Sequence, residues 1–124
     1  MVIRVVPRHP LKLTRATEYQ LVLAAECRLV GKNFFLRAGI NDLQSARLGL
    51  IASRKVARRA VDRNRGKRIA REAFRVARVR LPAIDVVLQL KNDLRKSGNR
   101  VLRTELDRLL HEVSGRFGAA GVVP

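Results

Sequence analysis

The 124-residue chain predicts one domain of the α+β class, a small α/β sandwich with the element order α-β-β-β-α-β-α. Three observations carry this. Phe34–Ala38 and Arg47–Ser53 alternate with the two-residue period of a strand. The segment around Arg63–Ala77 places its small and apolar residues at helical spacing. Ile84-Asp85-Val86-Val87-Leu88-Gln89-Leu90 then reads as a mostly buried strand, followed by leucines spaced as on an amphipathic helix. A chain of this length buries roughly two thirds of its unfolded surface, enough for one core.

Residues 1–13 mix Pro7, Pro10, Arg and Lys without a period and read as an extended arm. Thr17-Glu18-Tyr19-Gln20 matches a capping box, Thr17 being the N-cap, and opens a short helix that runs to about Cys27. Arg28-Leu29-Val30 is a brief strand, turned by Gly31-Lys32 into a second one at Asn33–Ala38. There Phe34, Leu36 and Ala38 lie on one face, Phe35 and Arg37 on the other. A polar loop, Gly39–Ala46, leads to the third strand, Arg47–Ser53. In the helix that follows, Gly66, Ile69, Ala70, Ala73 and Ala77 fall on one arc. Arg63, Asn64, Lys67, Arg68, Arg71, Arg75 and Arg78 fall on the opposite one, and Pro82 ends the helical region. Leu102, Leu106, Leu109, Leu110 and Val113 mark a last helix, about Arg100–Val113. Residues 114–124, rich in Gly and Ala, are expected to be a disordered tail.

Charge points to the partner. The chain carries 27 Lys and Arg against 10 Asp and Glu, a net +17. Twelve of those cations fall between Arg54 and Arg80, with only Asp62 and Glu72 to oppose them. Arg63, Lys67, Arg71 and Arg75 form a like-charge i, i+4 ladder, each step unfavourable by a few tenths of a kcal/mol. A face of one sign is relieved by a polyanion, and nucleic acid is the fitting class. Arginine suits it, offering a planar fork to phosphate and a flat face to bases.

Catalytic chemistry is sparse. His9 and His111 have no partners at metal-ligand or triad spacing. Asp62 and Glu72 read as intrahelical ion-pair partners, and Gly39, Gly49 and Gly66 form no phosphate-binding loop. The lone Cys27 cannot close an internal disulfide and reads as a small apolar residue. No run approaches the ~20 apolar residues of a membrane span. The basic start lacks the apolar stretch of a secretion signal, so a cytoplasmic protein with no membrane partner is expected. Tyr19, Leu23, Phe35 and Arg37 form a second candidate surface, a shallow groove for unstacked bases, although Tyr19, Leu23 and Phe35 are of types more often found in a core.

The run Arg63-Asn64-Arg65-Gly66-Lys67-Arg68-Ile69-Ala70-Arg71-Glu72-Ala73-Phe74-Arg75 resembles the helix motif of the protein component of bacterial ribonuclease P. Arg47-Leu48-Gly49-Leu50, Ser53-Arg54-Lys55-Val56 and Leu81-Pro82…Asp85-Val86-Val87 extend the resemblance, which covers about residues 11–113. It implies a non-catalytic subunit of a ribonucleoprotein endoribonuclease, 1:1 with a catalytic RNA. Arg63, Asn64, Arg65, Lys67, Arg68 and Arg71 would contact that RNA. A cleft holding Tyr19, Leu23, Phe35, Arg37, Ile51, Ser53 and Arg54 would take the single-stranded 5′ leader of precursor tRNA. Hydrolysis belongs to the RNA and its Mg²⁺ ions, so no catalytic residue, cofactor or metal is expected in the protein. The resemblance also implies a left-handed βαβ crossover, against the right-handed rule of about 98% of parallel crossovers. Three positions depart from the pattern: Gly66 replaces a bulky aliphatic, Leu23 an often aromatic residue, and Tyr19 a common phenylalanine. Within a helix, glycine costs about 1 kcal/mol relative to alanine. Rival readings are a ribosomal or other structural RNA-binding protein, a major-groove DNA-binding helix, which lacks a preceding helix-turn, and an independent nuclease.

Overall fold

The computed structural model describes residues 12–25, 27–41 and 43–121. Helix α1 (Ala16–Leu23) precedes strands β1 (Cys27–Val30), β2 (Phe34–Ile40) and β3 (Arg47–Ile51). Helix α2 (Ala60–Ala77) closes in a short 3-10 turn at Arg78–Arg80, followed by β4 (Ile84–Leu90) and α3 (Asn99–Gly121). The α+β class and the element order are those expected. The four strands lie in the order β1-β2-β4-β3. Both β1 and β4 run antiparallel to β2, whereas β3 and β4 are parallel and joined through α2.

Strand alternation divides the sheet into two faces. One face carries Leu29, Phe34, Leu36, Ala38, Leu48, Val86 and Leu88, all buried beneath α2 and α3. The α2 arc read from the sequence is the packing face: Gly66, Ile69, Ala70, Ala73 and Ala77 are buried, and Phe74 joins them. α3 contributes Leu102, Leu106, Leu109, Leu110 and Val113 to the same core. Each fully buried leucine is worth about 1.5–3 kcal/mol of transfer free energy, so this layer dominates stability. The other face is covered only in part, by α1, through a smaller cluster of Leu13, Val22 and Val87 with Tyr19, Leu23 and Ile51 packed against it.

Several boundaries differ from the sequence reading. α1 begins at Ala16 with Arg15 at the N-cap, not at Thr17. The reason is Glu18, whose carboxylate reaches back to accept the N–H of Thr14 (2.9 Å) and of Arg15 (3.0 Å). α1 stops at Leu23, and half-buried Cys27 opens β1 instead of ending the helix. β2 runs on to Ile40 because Gly39 and Ile40 pair with Asp85 and Ile84. β3 ends at Ile51, before Ser53, whose hydroxyl and carbonyl accept the N–H of Val56 and of Ala57 in the next turn. The expected tail at residues 114–124 is helical as far as Gly121. Phe117 packs against the core and the Ser114 hydroxyl donates to the Arg80 carbonyl, which together offset the glycine content. The extended arm lies outside the described residues except at its end, where Leu13 N–H donates to the Leu48 carbonyl beside β3.

Candidate nucleic-acid interface

On α2 the outer face is Asn64, Arg68, Arg71 and Arg75, all exposed, with Arg63 and Lys67 half-buried at its margin. The ion pairs among the described residues use Arg47, Arg59, Arg103 and Arg116, so no carboxylate among them pairs directly with this face. Asp62 approaches Arg59 at 3.8 Å, a loose version of the expected intrahelical pair, while exposed Glu72 enters none. The two outer arginines of the triplet have internal tasks. Arg63 Nη1 donates to the carbonyls of Ala57 and Arg58, both at 2.8 Å, closing the loop before α2. Arg65 donates to Asn99 Oδ1 (2.6 Å), to the Leu94 carbonyl (2.9 Å) and to the Ser97 carbonyl. That guanidinium fastens α2 to the β4–α3 loop. Sequence spacing gave no sign of it, because its acceptors lie about thirty residues downstream.

The second candidate surface lies on the sheet face away from α2. Strand register aligns Val30, Phe35, Gln89 and Ile51 in one row across all four strands. The next row is Arg28, Arg37, Val87 and Gly49, over which α1 sits. Tyr19 meets the sheet at Gly49, where a Cβ would come within 2.7 Å of the tyrosine ring. The Leu50 N–H donates to the Tyr19 hydroxyl (3.1 Å), fixing the ring at the edge of the open row. Arg37 Nη1 donates to the Leu23 carbonyl (3.0 Å) at the end of α1. Phe35, half-buried, has the Lys91 ammonium 4.9 Å from its ring centroid, a cation–π contact. Ser53 and Arg54 are exposed just beyond the end of β3. The sequence-predicted groove residues therefore share one side of the sheet, Tyr19, Leu23 and Ile51 in apolar contact and Phe35 and Arg37 alongside. Lys91 is an addition that the strand-like run ending at Leu90 did not suggest.

What holds α1 against the sheet is a buried charge cluster. Arg47, 5% exposed, pairs with Glu18 at 2.6 Å and forks onto Asp85 at 2.7 and 2.9 Å. Asn41 Nδ2 also donates to Asp85 Oδ1, at 2.8 Å. Burial pushes the Glu18 carboxyl up, but the Thr14 and Arg15 amides and the Arg47 guanidinium outweigh it and hold the group below its ordinary value. For Arg47, burial favours the neutral form, and the two carboxylates more than restore the charge, raising its pKa. The visible sequence signals were charges isolated in apolar strands, Arg47 before Leu48 and Asp85 within Ile84–Leu90.

The family model described as Ribonuclease P matches residues 8–114, nearly the whole described fold. The chain belongs to the ribonuclease P protein family. It is 41% identical over 103 residues to the ribonuclease P protein component of Thioalkalivibrio sulfidiphilus, covering 83% of this chain and 86% of that one. With the component from Chromohalobacter salexigens it shares 41% identity over 96 residues, covering 77% and 75% of the two chains. The solved ribonuclease P protein of Thermotoga maritima superposes with a TM-score of 0.71 at 25% identity, over 82% of this chain and 96% of that one. The Staphylococcus aureus protein gives 0.75 at 21% identity over 82% and 94%, a likeness of fold. Ribonuclease P proteins are components of a tRNA-processing ribonucleoprotein endonuclease.

Proposed function

We propose that this chain is the RNA-anchored protein subunit of ribonuclease P, holding the catalytic RNA on α2 and the 5′ leader of precursor tRNA on the open sheet face. The observation that carries the reading is the exposed face Asn64-Arg68-Arg71, whose arginines enter no ion pair among the described residues, on a chain of this family. Such a face suits the sugar-phosphate backbone of RNA, which is contacted by charge and shape. Lys67 and Arg63 flank it; Arg65 supports it from beneath. The row from Val30 to Ile51 lies on the other side of the sheet and offers Phe35 and Tyr19 to bases, with Arg37, Ser53 and Arg54 for phosphates. Leu23 and Ile51 form its apolar floor.

Leader removal, giving the mature 5′ end of tRNA, is assigned to the RNA partner with Mg²⁺; the protein binds and orients, in a 1:1 cytoplasmic complex. Among the described residues no helix is long and apolar enough to cross a membrane.

Two variants test the division. Arg68→Ala with Arg71→Ala should weaken binding to the catalytic RNA and lower the slope of log affinity against log salt by about 2. Phe35→Ala should leave that slope alone and reduce the holoenzyme's preference for leader-bearing over mature tRNA by about 1–3 kcal/mol, the worth of one stacked base. Identical phenotypes from the two would refute the assignment of separate faces.

A further inference from the structure

The β4–α3 connection, residues 91–98, is anchored from three sides yet presents cations outward. Leu94, 1% exposed, plugs the core with its backbone at φ 65°, a conformation costly for leucine and kept only where the surroundings fix it. Asn92 Oδ1 accepts the Leu94 N–H at 2.8 Å. Asn33, on the β1–β2 turn, reaches the Ser97 hydroxyl at 3.4 Å and is itself gripped by buried Glu105 of α3 at 2.9 Å. From α2 comes Arg65, with its three donors on Leu94, Ser97 and Asn99.

On this platform Arg95, Lys96 and Arg100 are exposed, and Lys32 is exposed on the adjoining turn, whose carbonyl accepts from Asn92 at 3.4 Å. The loop's acid, Asp93, is engaged locally, accepting the Arg95 N–H at 3.0 Å. Arg68, exposed, follows Arg65 by about one turn on α2. A preorganised group of like charges continuous with a basic helix lowers its own repulsion by gaining phosphate contacts, and rigidity reduces the ordering cost of binding.

We propose that the β4–α3 loop is a further RNA-backbone contact, extending the α2 surface through Arg95, Lys96, Arg100 and Lys32, and that Arg65 is the residue that positions it. This rests on the reading of α2 as an RNA-binding face. The occupant is the backbone of the catalytic RNA, because Arg65 fastens the loop directly to the α2 face that takes that RNA.

Wild type, Arg71→Gln and the double variant Arg95→Gln/Lys96→Gln are compared for affinity against salt in two arms: catalytic RNA with protein, and leader-bearing precursor with assembled holoenzyme. The double variant should lower the slope by about 2 in the catalytic-RNA arm, and a loss confined to the precursor arm would overturn the assignment. Arg65→Gln should remove a comparable increment in that same arm, and adding it to the double variant should remove little more, because positioning and contact belong to one unit. If Arg71→Gln lowers the slope in the catalytic-RNA arm while the double variant changes neither arm, the loop proposal is overturned and the α2 reading stands. If Arg71→Gln also changes nothing, the α2 reading fails and the loop proposal with it.

Discussion

Gly66 sits where the family motif usually has a bulky aliphatic, and helix propensity alone makes Gly66→Ala a stabilising change of about 1 kcal/mol. The packing argues the other way. A Cβ at position 66 would lie 2.7 Å from Leu94 Cδ1 and 3.3 Å from both terminal carbons of Leu90. A leucine end can often swing aside, but Leu94 is fully buried and its backbone is held by Asn92 and Arg65. Inserting a methyl group into such a site costs typically about 1–3 kcal/mol. Set against the propensity gain, the net expectation is a loss of about 0–2 kcal/mol, centred near 1. For a domain of this size that lowers the melting temperature by roughly 3–5 °C. A double-mutant cycle with Leu94→Ala isolates the cause. Alone, the leucine truncation should cost about 2–5 kcal/mol. With the added methyl group of Gly66→Ala filling part of the space, the pair should cost measurably less than the sum. The assay is thermal and urea denaturation followed by circular dichroism. A melting temperature that rises by several degrees in Gly66→Ala, with additive behaviour in the cycle, would refute the close-packing argument.

Arg47→Met should destabilise the domain by about 3–5 kcal/mol, because it leaves Glu18 and Asp85 buried without their cation, and urea midpoints will show it. Arg47→Lys should recover only part, since an ammonium cannot fork onto Asp85. Glu18, whose folded pKa lies below its ordinary value near 4.5, contributes stability that is complete above that value and lost as pH falls through the folded one. The acid limb of the stability profile should therefore be shallower in Glu18→Gln, as read by melting temperature between neutral pH and the acid range; an unchanged limb would remove Glu18 from the account.

The sequence exposed whatever depends on local period. Phe34, Leu36 and Ala38 could be assigned to the core face, and Gly66, Ile69, Ala70, Ala73 and Ala77 to the packing side of α2, because alternation and helical phase are properties of neighbouring residues. The motif from Arg63 to Arg75 carried the family. What remained hidden depends on partners distant in the chain. The internal bonds of Arg65 were hidden because their acceptors, Leu94, Ser97 and Asn99, lie about thirty residues downstream. Glu18 looked like the middle of a capping box begun at Thr17, because its bond to Arg47 spans 29 residues. Gly66 looked like a defect in a helix, since its reason is a leucine on another element. The groove was legible as a list of residues, but its shape, one uncovered row beside α1, follows from register that no local pattern states.

On the proposed reading the protein supplies binding and no chemistry. The measurement that tests it most directly is 5′ cleavage of a leader-bearing precursor tRNA by the catalytic RNA of the same organism at low Mg²⁺, with and without this protein. Accurate cleavage at the mature 5′ end should rise sharply when the protein is added, with none by the protein alone. No gain over the RNA alone, or cleavage by the protein without RNA, would contradict it.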